Sequence, residues 1–490
     1  MEITVFERAS YIGGRSTTVN VFDNPSYPVE LGASIFVEDN KNLANATRDL
    51  GLKIKGSGSD SDSSSSQESQ KPQKRQDFAD SEDDADSIGI WDGSQFVHTV
   101  EGSSTWWEIA KLVWKYGTSP IKAQMAMKNT IQKFLAMYEA PIFPFYSLTE
   151  AVEKSGLVNA TASPGQNFLQ KNGVSDDFAR EIIQSSTRVN YGQNVALIHG
   201  VETMVCLAAE GSMSVQGGNW QIFDRMLGAS GADVRLNTTV TSIERNTADG
   251  SATLKTANSA AKKNSNKRED SDLVFDEVVI AGPLQYSGLS INPPLEHTPD
   301  EIPYVKLHVT LFASPHRISP GYFGLDAKAL APNTILTTLP KGVDLGSSRA
   351  GVGPTGFWSI SLLQTVNAPQ SSSSSNDKPQ QHYVYKIFSP EHVTADFMVQ
   401  LLGLNTKDTQ NGTIADLPKE DISWLYEKIW NPYPFMYPRV TFQDPVIAPN
   451  VWYTSGIESF ISTMETSSLM GRNVVNLMVK RWQGKNEGKN

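Results

Sequence analysis

The spacing of apolar positions divides this chain into short strands and amphipathic helices. A brief β-rich run, Ile3 to Phe6, opens the sequence, and Phe275 to Pro283 is predicted as one continuous strand of a buried parallel sheet. Alternating segments from 304 to about 440 predict a β-rich part. Helical spacing is present at 40–52, 176–210 and 462–482. The pattern favours an α/β fold class with α+β elements.

Two stretches between 106 and 138 carry a wide apolar face at helical spacing. The residues on these faces are Trp106, Ile109, Ala110, Val113 and Trp114 in the first stretch, and Ile131, Phe134, Leu135 and Tyr138 in the second. Two core helices explain this pattern. The alternative is that part of the apolar face lines a substrate pocket.

Three segments with few large apolar side chains, at 56–87, 257–272 and 370–378, predict polar insertions, and the first is predicted to be disordered. Residues 57–87 contain nine acidic and three basic residues, so this segment accounts for about half of the net charge of −11. Because the sequence has no basic face that would follow a phosphate backbone, nucleic acid is excluded as a partner.

The side chains do not form a set that would catalyse a reaction unaided. Cys206 is the single cysteine, so no intramolecular disulfide is possible, and the seven histidines are scattered without metal-ligand spacing. A G-x-S-x-G elbow is also missing, so a cofactor would have to carry the chemistry. No apolar run reaches the ~18 residues of a membrane span. Sequons for glycosylation at Asn45, Asn159, Asn237 and Asn411 suggest a secretory route.

The first eighteen residues contain a nucleotide-binding pattern. The opening strand ends in Glu7, a position from which a carboxylate accepts hydrogen bonds from ribose hydroxyls. The glycines of Gly13-Gly14-Arg15 would let the backbone approach a diphosphate or a flavin, and the arginine could pair with a phosphate or stack on a ring. Glu30-Leu31-Gly32 adds another close-approach glycine. Gly13 and Gly14 alone also fit a simple turn, and it is the neighbouring motifs that favour a cofactor site.

The C-terminal region combines a strand, a glycine with an acid, and a helix. Val451 to Ser455 is predicted as the strand, Gly456-Ile457-Glu458 as the turn, and Ser462 with Glu465 as the capping box of the final helix. A helix N-terminus here would contact an anion or a flavin diphosphate. The predicted inward face of the helix comprises Val475, Met478, Val479 and Trp482.

Two further stretches contain candidate motifs, of which the first has two interpretations and the second is rejected as a phosphate-binding loop. Arg188 to Gln193 interrupts the helical region 176–210, either as an ordinary connection or as a set of pocket groups. Gly351 to Gly356 matches G-x-G-x-x-G but contains Pro354 and precedes a strand-like segment. A phosphate-binding loop opens a helix instead, so this match predicts a surface turn.

Several motifs resemble known families. VFERASYIGGRSTTV and VELGASIFVEDNKNL are similar to the FAD-dependent amine oxidase and desaturase superfamily. KLVWKYG (111–117), RVNYGQN (188–194), the loop Gly217-Gly218-Asn219 and WYTSGIESFISTMETSSL (452–469) resemble prenylcysteine oxidase, also called prenylcysteine lyase. The resemblance extends over nearly the whole chain outside the polar insertions.

The resemblance implies a discontinuous Rossmann-like FAD-binding domain and a substrate domain with helices and a β-rich part. The implied segments are 1–55 (FAD-binding), 56–87 (disordered insertion), 88–210 (helical substrate or lid region), 211–285 (FAD-binding), 286–440 (β-rich substrate domain) and 441–490 (C-terminal FAD-binding segment). The implied reaction cleaves farnesyl- or geranylgeranyl-cysteine from the breakdown of prenylated proteins. The allylic carbon gives a hydride to the flavin, water adds, and collapse yields cysteine and a prenyl aldehyde. O2 then reoxidises the flavin to yield hydrogen peroxide.

The motifs that match the family imply a cofactor-binding site and a neighbouring substrate-binding site. Its cofactor-binding residues would be Glu7 at the ribose, Gly13, Gly14, Arg15 and Gly32 along the diphosphate and flavin, Val240 at the adenine, and Gly456, Ile457 and Glu458 at the ribityl and diphosphate groups. Asn190, Tyr191 and Gln193 are the candidate substrate-binding residues, and the apolar helix faces could bind the isoprenoid. No catalytic base is assigned, because sulfur stabilises the cation and the flavin takes the hydride.

The sequence departs from the family at its start. The family's first strand, G-x-G-x-x-G loop, first helix and signal peptide are missing before Ile3. The expectation is either an incomplete version of a longer protein or weakened FAD binding. Alternative functions are a related flavin amine oxidase or desaturase, and a flavin-free prenyl-binding protein. By resemblance the location is lysosomal, vacuolar or otherwise secretory, and association with a membrane surface remains open.

Overall fold

The computed structural model describes residues 1–56, 87–101, 106–209, 211–258, 273–344, 346, 351–369, 380–405 and 412–487. The polar insertions predicted at 56–87, 257–272 and 370–378 lie largely outside these residues, and Asn411 lies wholly outside them. The strands are β1 Thr4–Phe6, β2 Thr17–Asn20, β3 Pro28–Gly32, β4 Ile54–Gly56, β5 Ser87–Trp91, β6 Phe96–Glu101, β7 Met213–Val215, β8 Asp233–Arg235, β9 Thr238–Arg245, β10 Ala252–Asn258, β11 Leu273–Phe275, β12 Val278–Ile280, β13 Ser290–Asn292, β14 Leu307–Ser314, β15 Thr334–Thr337, β16 Ser359–Asn367, β17 Gln381–Ser389, β18 Trp424–Trp430, β19 Val446–Ala448 and β20 Val451–Tyr453. The helices are α1 Lys41–Asp49, α2 Trp106–Tyr116, α3 Ser119–Leu135, α4 Leu148–Lys154, α5 Val158–Thr161, α6 Gly165–Lys171, α7 Asp176–Phe178, α8 Gln184–Tyr191, α9 Gly200–Leu207, α10 Trp220–Ser230, α11 Ala395–Leu402 and α12 Met464–Glu487.

The largest sheet has seven strands in the order β18-β14-β17-β16-β15-β5-β6. Strand β14, second in this order, pairs antiparallel with β17 and β18, and every residue of β14 is buried. One face of β14 packs against Val29 and Leu31 of β3, which fixes the position of the intervening Glu30. The alternation predicted for 304–440 is confirmed. The β5–β6 pair extends this sheet from a region predicted to be mainly helical.

Smaller sheets join distant parts of the sequence. β1 pairs parallel with β8, so Thr4 lies opposite Asp233 and Phe6 lies opposite Arg235. β12 pairs parallel with β20, and β13-β9-β10-β11 form a four-stranded sheet. Buried apolar residues of β9, β10, β12 and β20 share one core. The N-terminal, central and C-terminal segments therefore meet in one place, as in a discontinuous α/β domain.

The strand predicted for Phe275 to Pro283 is divided in two. β11 and β12 belong to different sheets, and the chain bends between them at Asp276, next to Glu277. The Glu277 carboxylate accepts hydrogen bonds from the indoles of Trp452 and Trp482 and pairs with Arg481. The prediction of one continuous strand is wrong, because these tertiary partners hold an acid in the middle of the apolar run.

The helix break predicted at Arg188 to Gln193 lies later in the chain. α7 continues through a π-helical turn, Ala179–Ile183, into α8, which runs on to Tyr191. Gly192 ends the helix in the left-handed conformation at φ 56°. Asn190 and Tyr191 are therefore helical, and only the residues from Gly192 onward form the connection.

The apolar faces of α2 and α3 differ in their surroundings. Phe134 of α3 and Tyr138 just beyond it are buried in a core shared with α4, α9 and α12, which supports the core interpretation for this stretch. By contrast, Trp114 of α2 is 90% exposed, so its prediction as a core or pocket residue is wrong. α2 packs instead through Leu112 and Tyr116, one helical turn apart. Within the described ranges, no helix is both long and apolar enough to cross a membrane.

The final helix α12 is capped and oriented differently from the prediction. Thr463 and Thr466 exchange capping hydrogen bonds, and Ser462 takes no part in them. Glu465 instead accepts hydrogen bonds from the Asn42 and Leu43 amides at the start of α1. The buried side of α12 is formed by Leu469, Met470, Val474, Leu477 and Met478, with Trp482 packed at its edge. Val475 and Val479, predicted to face inward, are exposed because they lie on the opposite side of this stripe.

Candidate functional site

Glu7 lies directly after β1, at the carboxyl end of the parallel β1–β8 pair. Its backbone continues the pairing, since its amide donates to the Arg235 carbonyl and its carbonyl accepts from the Thr238 amide. The carboxylate accepts a hydrogen bond of 2.7 Å from the Ala9 amide and is half-buried. Val240 follows on β9, opposite Thr256, with its side chain in the adjoining core. The two residues predicted at the adenosine are thus held at one corner by β1, β8 and β9.

The predicted glycine loop packs against the start of α10. The Ser16 amide donates to the Gly13 carbonyl at 2.9 Å and closes a tight turn. Gly13 has φ 113°, and a Cβ atom there would overlap the Ser16 carbonyl oxygen and lie 2.9 Å from Trp220 Cβ. Gly14 has φ 58°, and a Cβ atom there would meet nothing within 4 Å. Gly13 is therefore needed for packing, and Gly14 leaves space at the loop surface.

This difference gives a paired prediction. Gly13→Ala is expected to destabilise the fold by about 3 kcal/mol, because the new methyl group overlaps a backbone oxygen in a strained conformation. Gly14→Ala is expected to cost about 1 kcal/mol, from the left-handed backbone conformation alone. Urea unfolding of both variants measures the difference. Equal costs would contradict this packing role for Gly13.

Arg15 and Glu458 form a two-pronged ion pair. Nη1 and Nη2 of Arg15 donate to the two carboxylate oxygens at 2.7 and 2.9 Å. Arg15 Nη1 also donates to the Pro432 carbonyl at 2.6 Å, and the Tyr304 hydroxyl donates to Glu458 at 3.1 Å. The Glu458 side chain is 4% exposed and that of Arg15 is 37% exposed. Two predicted cofactor residues therefore bind each other and tie the glycine loop to the C-terminal segment.

The segment around Glu458 is buried and does not begin the last helix. Residues 455–459 form a 3-10 turn in which every residue is buried, and α12 begins only at Met464. Ile457 lies in the core, and a Cβ atom at Gly456 would lie 2.7 Å from the Gln443 carbonyl oxygen. The turn predicted at 456–458 is confirmed, and the helix start predicted at Ser462 lies within two residues of the observed one at Met464. The helix N-terminus is thus separated from Glu458 by five residues, and the turn itself is packed against the 443 region.

Glu30 links three segments that the sequence places far apart. Its Oε1 accepts a 2.6 Å hydrogen bond from the Asn219 amide, and its backbone carbonyl accepts from Lys386 Nζ at 3.2 Å. The Asn219 side chain donates in turn to the Ala33 carbonyl. Burial raises the pKa of Glu30 to about 7, against the lowering effect of the Asn219 amide and Lys386. Burial also lowers the pKa of Lys386 to about 8, which Glu30 partly opposes. The site thus contains an acid and a base that both titrate near neutrality.

Several buried polar atoms beside this junction have no hydrogen-bond partner in the described structure. They are the Ser16 hydroxyl, Glu30 Oε2 and the Trp430 indole nitrogen. Gly32 lies between them, since a Cβ atom there would be 3.0 Å from the Trp430 ring and 3.6 Å from the Arg15 carbonyl oxygen. Because buried polar atoms are nearly always paired, this group of atoms fits a polar ligand at the junction.

Tyr191 and Gln193 hold the proline-rich segment 430–438 in place. Gln193 Nε2 donates to the carbonyls of Tyr191 and Pro434, and its Oε1 accepts from the Met436 amide at 2.8 Å. The Tyr191 ring packs at 5.2 Å from the Tyr433 ring, and its hydroxyl donates to the Ser462 carbonyl. Both residues therefore position the segment that carries the Pro432 carbonyl beside the Arg15 ion pair. The amide of Gln193 is fully used by main-chain partners.

Asn190 is not part of this arrangement. Its amide donates to the Ser186 carbonyl of its own helix, and the residue is half-buried. Glu202, which the sequence did not single out, interacts with Tyr191. It is fully buried, and its Oε1 accepts a 3.4 Å hydrogen bond from the amide of Ser462, whose carbonyl accepts from the Tyr191 hydroxyl. Burial raises the pKa of Glu202 to about 8, so its carboxyl group is mostly neutral at pH 7.

The remaining sequence predictions concern the surface. Asn45, Asn159 and Asn237 are exposed, and their glycosylation stays a prediction. The G-x-G-x-x-G match contains a 3-10 turn, Gly353–Thr355, so the predicted turn is confirmed. The fully buried Arg188 donates to the carbonyls of Gly351 and Val352 and fastens this turn to α8.

Lys386 and Trp430 are site residues that the sequence interpretation missed. Lys386 is the only charged residue in the apolar strand segment Tyr383 to Phe388, and this is a signal that could have identified it. Trp430 had no comparable signal, since its contact with Gly32 depends on the tertiary fold.

Sequence comparisons place the chain in a known family. The family model described as prenylcysteine lyase matches residues 99–489, and an NAD(P)-binding Rossmann-like domain matches residues 1–50. The chain is 26% identical over 499 residues to "Farnesylcysteine lyase" of Arabidopsis thaliana, covering 99% of this chain and 83% of that protein. It is 25% identical over 511 residues to "Prenylcysteine oxidase 1" of Homo sapiens, covering 99% and 85%.

Structural comparison independently identifies the fold. Cyclohexylamine oxidase from Brevibacterium oxydans superimposes with a TM-score of 0.53 at 14% identity, over 98% of this chain and 94% of that one. A putrescine oxidase double mutant gives a TM-score of 0.50 at 14% identity, over 97% and 93%. The architecture is that of flavin-dependent oxidases.

Proposed function

This chain belongs to the prenylcysteine lyase family, and on that basis we propose that it is an oxidase that cleaves the thioether of farnesyl- or geranylgeranyl-cysteine with O2 as the electron acceptor. One water and one O2 are consumed for each thioether. The products are cysteine, the prenyl aldehyde and hydrogen peroxide. The carbon attached to sulfur loses two electrons, and O2 gains them.

FAD is the cofactor of this fold and family, and when bound it accepts two electrons from the substrate. The observation that carries the proposal is the junction where the glycine loop, the Glu30 segment and Glu458 meet. Ser16, Glu30 and Trp430 each bring an unpaired buried polar atom to it, and Gly14 leaves its surface open. These are the residues that would hold the cofactor.

The protein's own side chains act mainly by positioning. Oxidation next to sulfur needs little acid–base assistance, so the pocket must chiefly orient the substrate and limit access of water. Tyr191 and Gln193 fix the segment that carries Tyr433 and Pro432 next to the Arg15 ion pair. Because burial raises the pKa of Glu202 to about 8, its carboxyl group can be buried beside Tyr191 without carrying a full charge.

A direct assay tests the proposal. Purified protein loaded with FAD is expected to have a flavin absorption spectrum and to release equimolar hydrogen peroxide, cysteine and farnesal from farnesylcysteine. Putrescine is expected to give no peroxide. Turnover of putrescine without turnover of farnesylcysteine would instead identify an amine oxidase, and the absence of bound flavin would overturn the proposal.

A pair of serine variants provides a control for the cofactor site. Ser16→Ala removes an unpaired buried hydroxyl at the junction and is expected to weaken FAD binding roughly tenfold, the effect of one lost hydrogen bond. Ser26→Ala changes an exposed serine outside the junction and is expected to leave FAD affinity unchanged.

A further inference from the structure

Large apolar side chains project into solvent around the connection between α2 and α3. Trp114 in the last turn of α2 is 90% exposed, and Ile121 and Met125 of α3 are 49% and 66% exposed. Ile121 and Met125 are one helical turn apart and so share one face of α3. Trp114 stands at the other end of the short connection between the two helices. Neighbouring exposed apolar groups of this size usually mark an interaction surface. We refer to Trp114, Ile121 and Met125 as the α2–α3 surface.

The charge of this helix pair is opposite to that of the whole protein. The helices α2 and α3 contain the lysines 111, 115, 122, 128 and 133 and one acidic residue, Glu108, whereas the chain has a net charge of −11. Lys128 lies seven positions after Ile121 and three after Met125, so it continues their exposed face. Lys122 follows Ile121 in the chain and is also exposed, with its ammonium group near Gly173. Lys115 is paired with Glu181 at 2.7 Å, so the lysines that flank the apolar groups on α3 carry most of the available charge.

We propose that the α2–α3 surface docks the protein onto an anionic lipid bilayer. Tryptophan favours the interface between lipid and water, and lysines beside apolar side chains add attraction to acidic headgroups. An acidic protein partner would explain the lysines but not a tryptophan that is almost wholly exposed. A second copy of this chain would bring two lysine-rich surfaces together, which like charges disfavour.

Docking would be peripheral. The apolar groups stand on the last turn of α2 and the first two turns of α3, so they would enter only the headgroup region and the adjoining chains. The proposal does not depend on the catalytic activity. If the proposed function is also correct, such docking would bring the enzyme to a membrane into which an isoprenoid chain partitions.

Vesicle flotation tests the proposal with the full chain. Vesicles of phosphatidylcholine containing about 30 mol% phosphatidylserine are expected to bind the protein, and binding should fall as salt is added. Vesicles of phosphatidylcholine alone are expected to bind it at least about tenfold more weakly. Absence of binding to both, or equal binding to both, overturns the proposal.

Variants locate the surface. The double substitution Trp114→Ser and Met125→Ser, and separately Lys122→Glu with Lys128→Glu, are each expected to weaken binding about tenfold or more. Val274→Ser, at a 64% exposed valine of β11, is the matched control and should bind like the unmodified protein. All substituted side chains are exposed, so unchanged thermal unfolding confirms that each variant is folded. Undiminished vesicle binding by both double variants overturns the assignment. So does a loss of self-association in these variants that is not accompanied by any loss of vesicle binding, because the surface would then bind a second copy of the chain.

Discussion

Arg15→Met is expected to lower the free energy of unfolding by about 3 kcal/mol, because it leaves the Glu458 carboxylate buried without its guanidinium partner. Glu458 is 4% exposed, whereas Arg15 is 37% exposed. Glu458→Gln is expected to cost less, since the remaining guanidinium can still reach water and the Pro432 carbonyl. Urea denaturation of the two variants measures this asymmetry.

The same pair has a milder control and a second readout. Tyr304→Phe removes one hydrogen bond to Glu458 without changing its charge and is expected to cost about 1 kcal/mol. Arg15→Met is also expected to weaken FAD binding, since the ion pair fixes the glycine loop to the C-terminal segment. If Glu458→Gln lowers the free energy of unfolding more than Arg15→Met does, the buried Glu458 carboxylate is not the charge that depends on its partner for stability.

Glu30 is expected to make the stability of the protein fall as the pH rises from about 4.5 to 7. Burial raises its pKa from 4.5 to about 7, so the folded state favours the protonated acid. The resulting stabilisation is fully present below the unfolded pKa and is lost as the pH rises through the folded pKa. The shift corresponds to about 3 kcal/mol. Unfolding free energies measured across this range for wild type and Glu30→Gln should diverge by that amount.

Lys386 provides the opposite pH dependence. Burial lowers its pKa from 10.5 to about 8, so its contribution is present above pH 10.5 and is lost as the pH falls through 8. Lys386→Met should remove this alkaline dependence and leave the acidic one largely intact. A Glu30→Gln profile that still declines between pH 4.5 and 7 would show that another group is responsible.

Local sequence patterns predicted most of the elements but not where they end. The short strand before Glu7, the helix at 41–49 and the alternating strands of the large sheet follow from spacing, because period-two and period-3.6 patterns arise within a single segment. Ends and breaks depend on partners elsewhere. Glu465 caps α1 instead of its own helix, and Glu277 breaks an apolar run because two indoles and Arg481 bind it.

Trp114 illustrates the same limit for a helix face. Its spacing matched an apolar stripe, but among the residues of α2 whose side chains are described, Leu112 and Tyr116 pack against the core and Trp114 does not. Which of these side chains is buried depends on the neighbouring helices, and the sequence of α2 does not contain that information.

For the site, the sequence by itself determined which residue types are present and which family they resemble. It identified Glu7, the glycine loop, Gly32 and Glu458 as one set, because each motif is a short local pattern. Only the tertiary structure decided their partners. Arg15 reaches Glu458 across 443 positions, and Lys386 reaches Glu30 across 356. Such pairs, and the shifted pKa values that burial gives them, arise from the packing of distant segments, which no local spacing encodes.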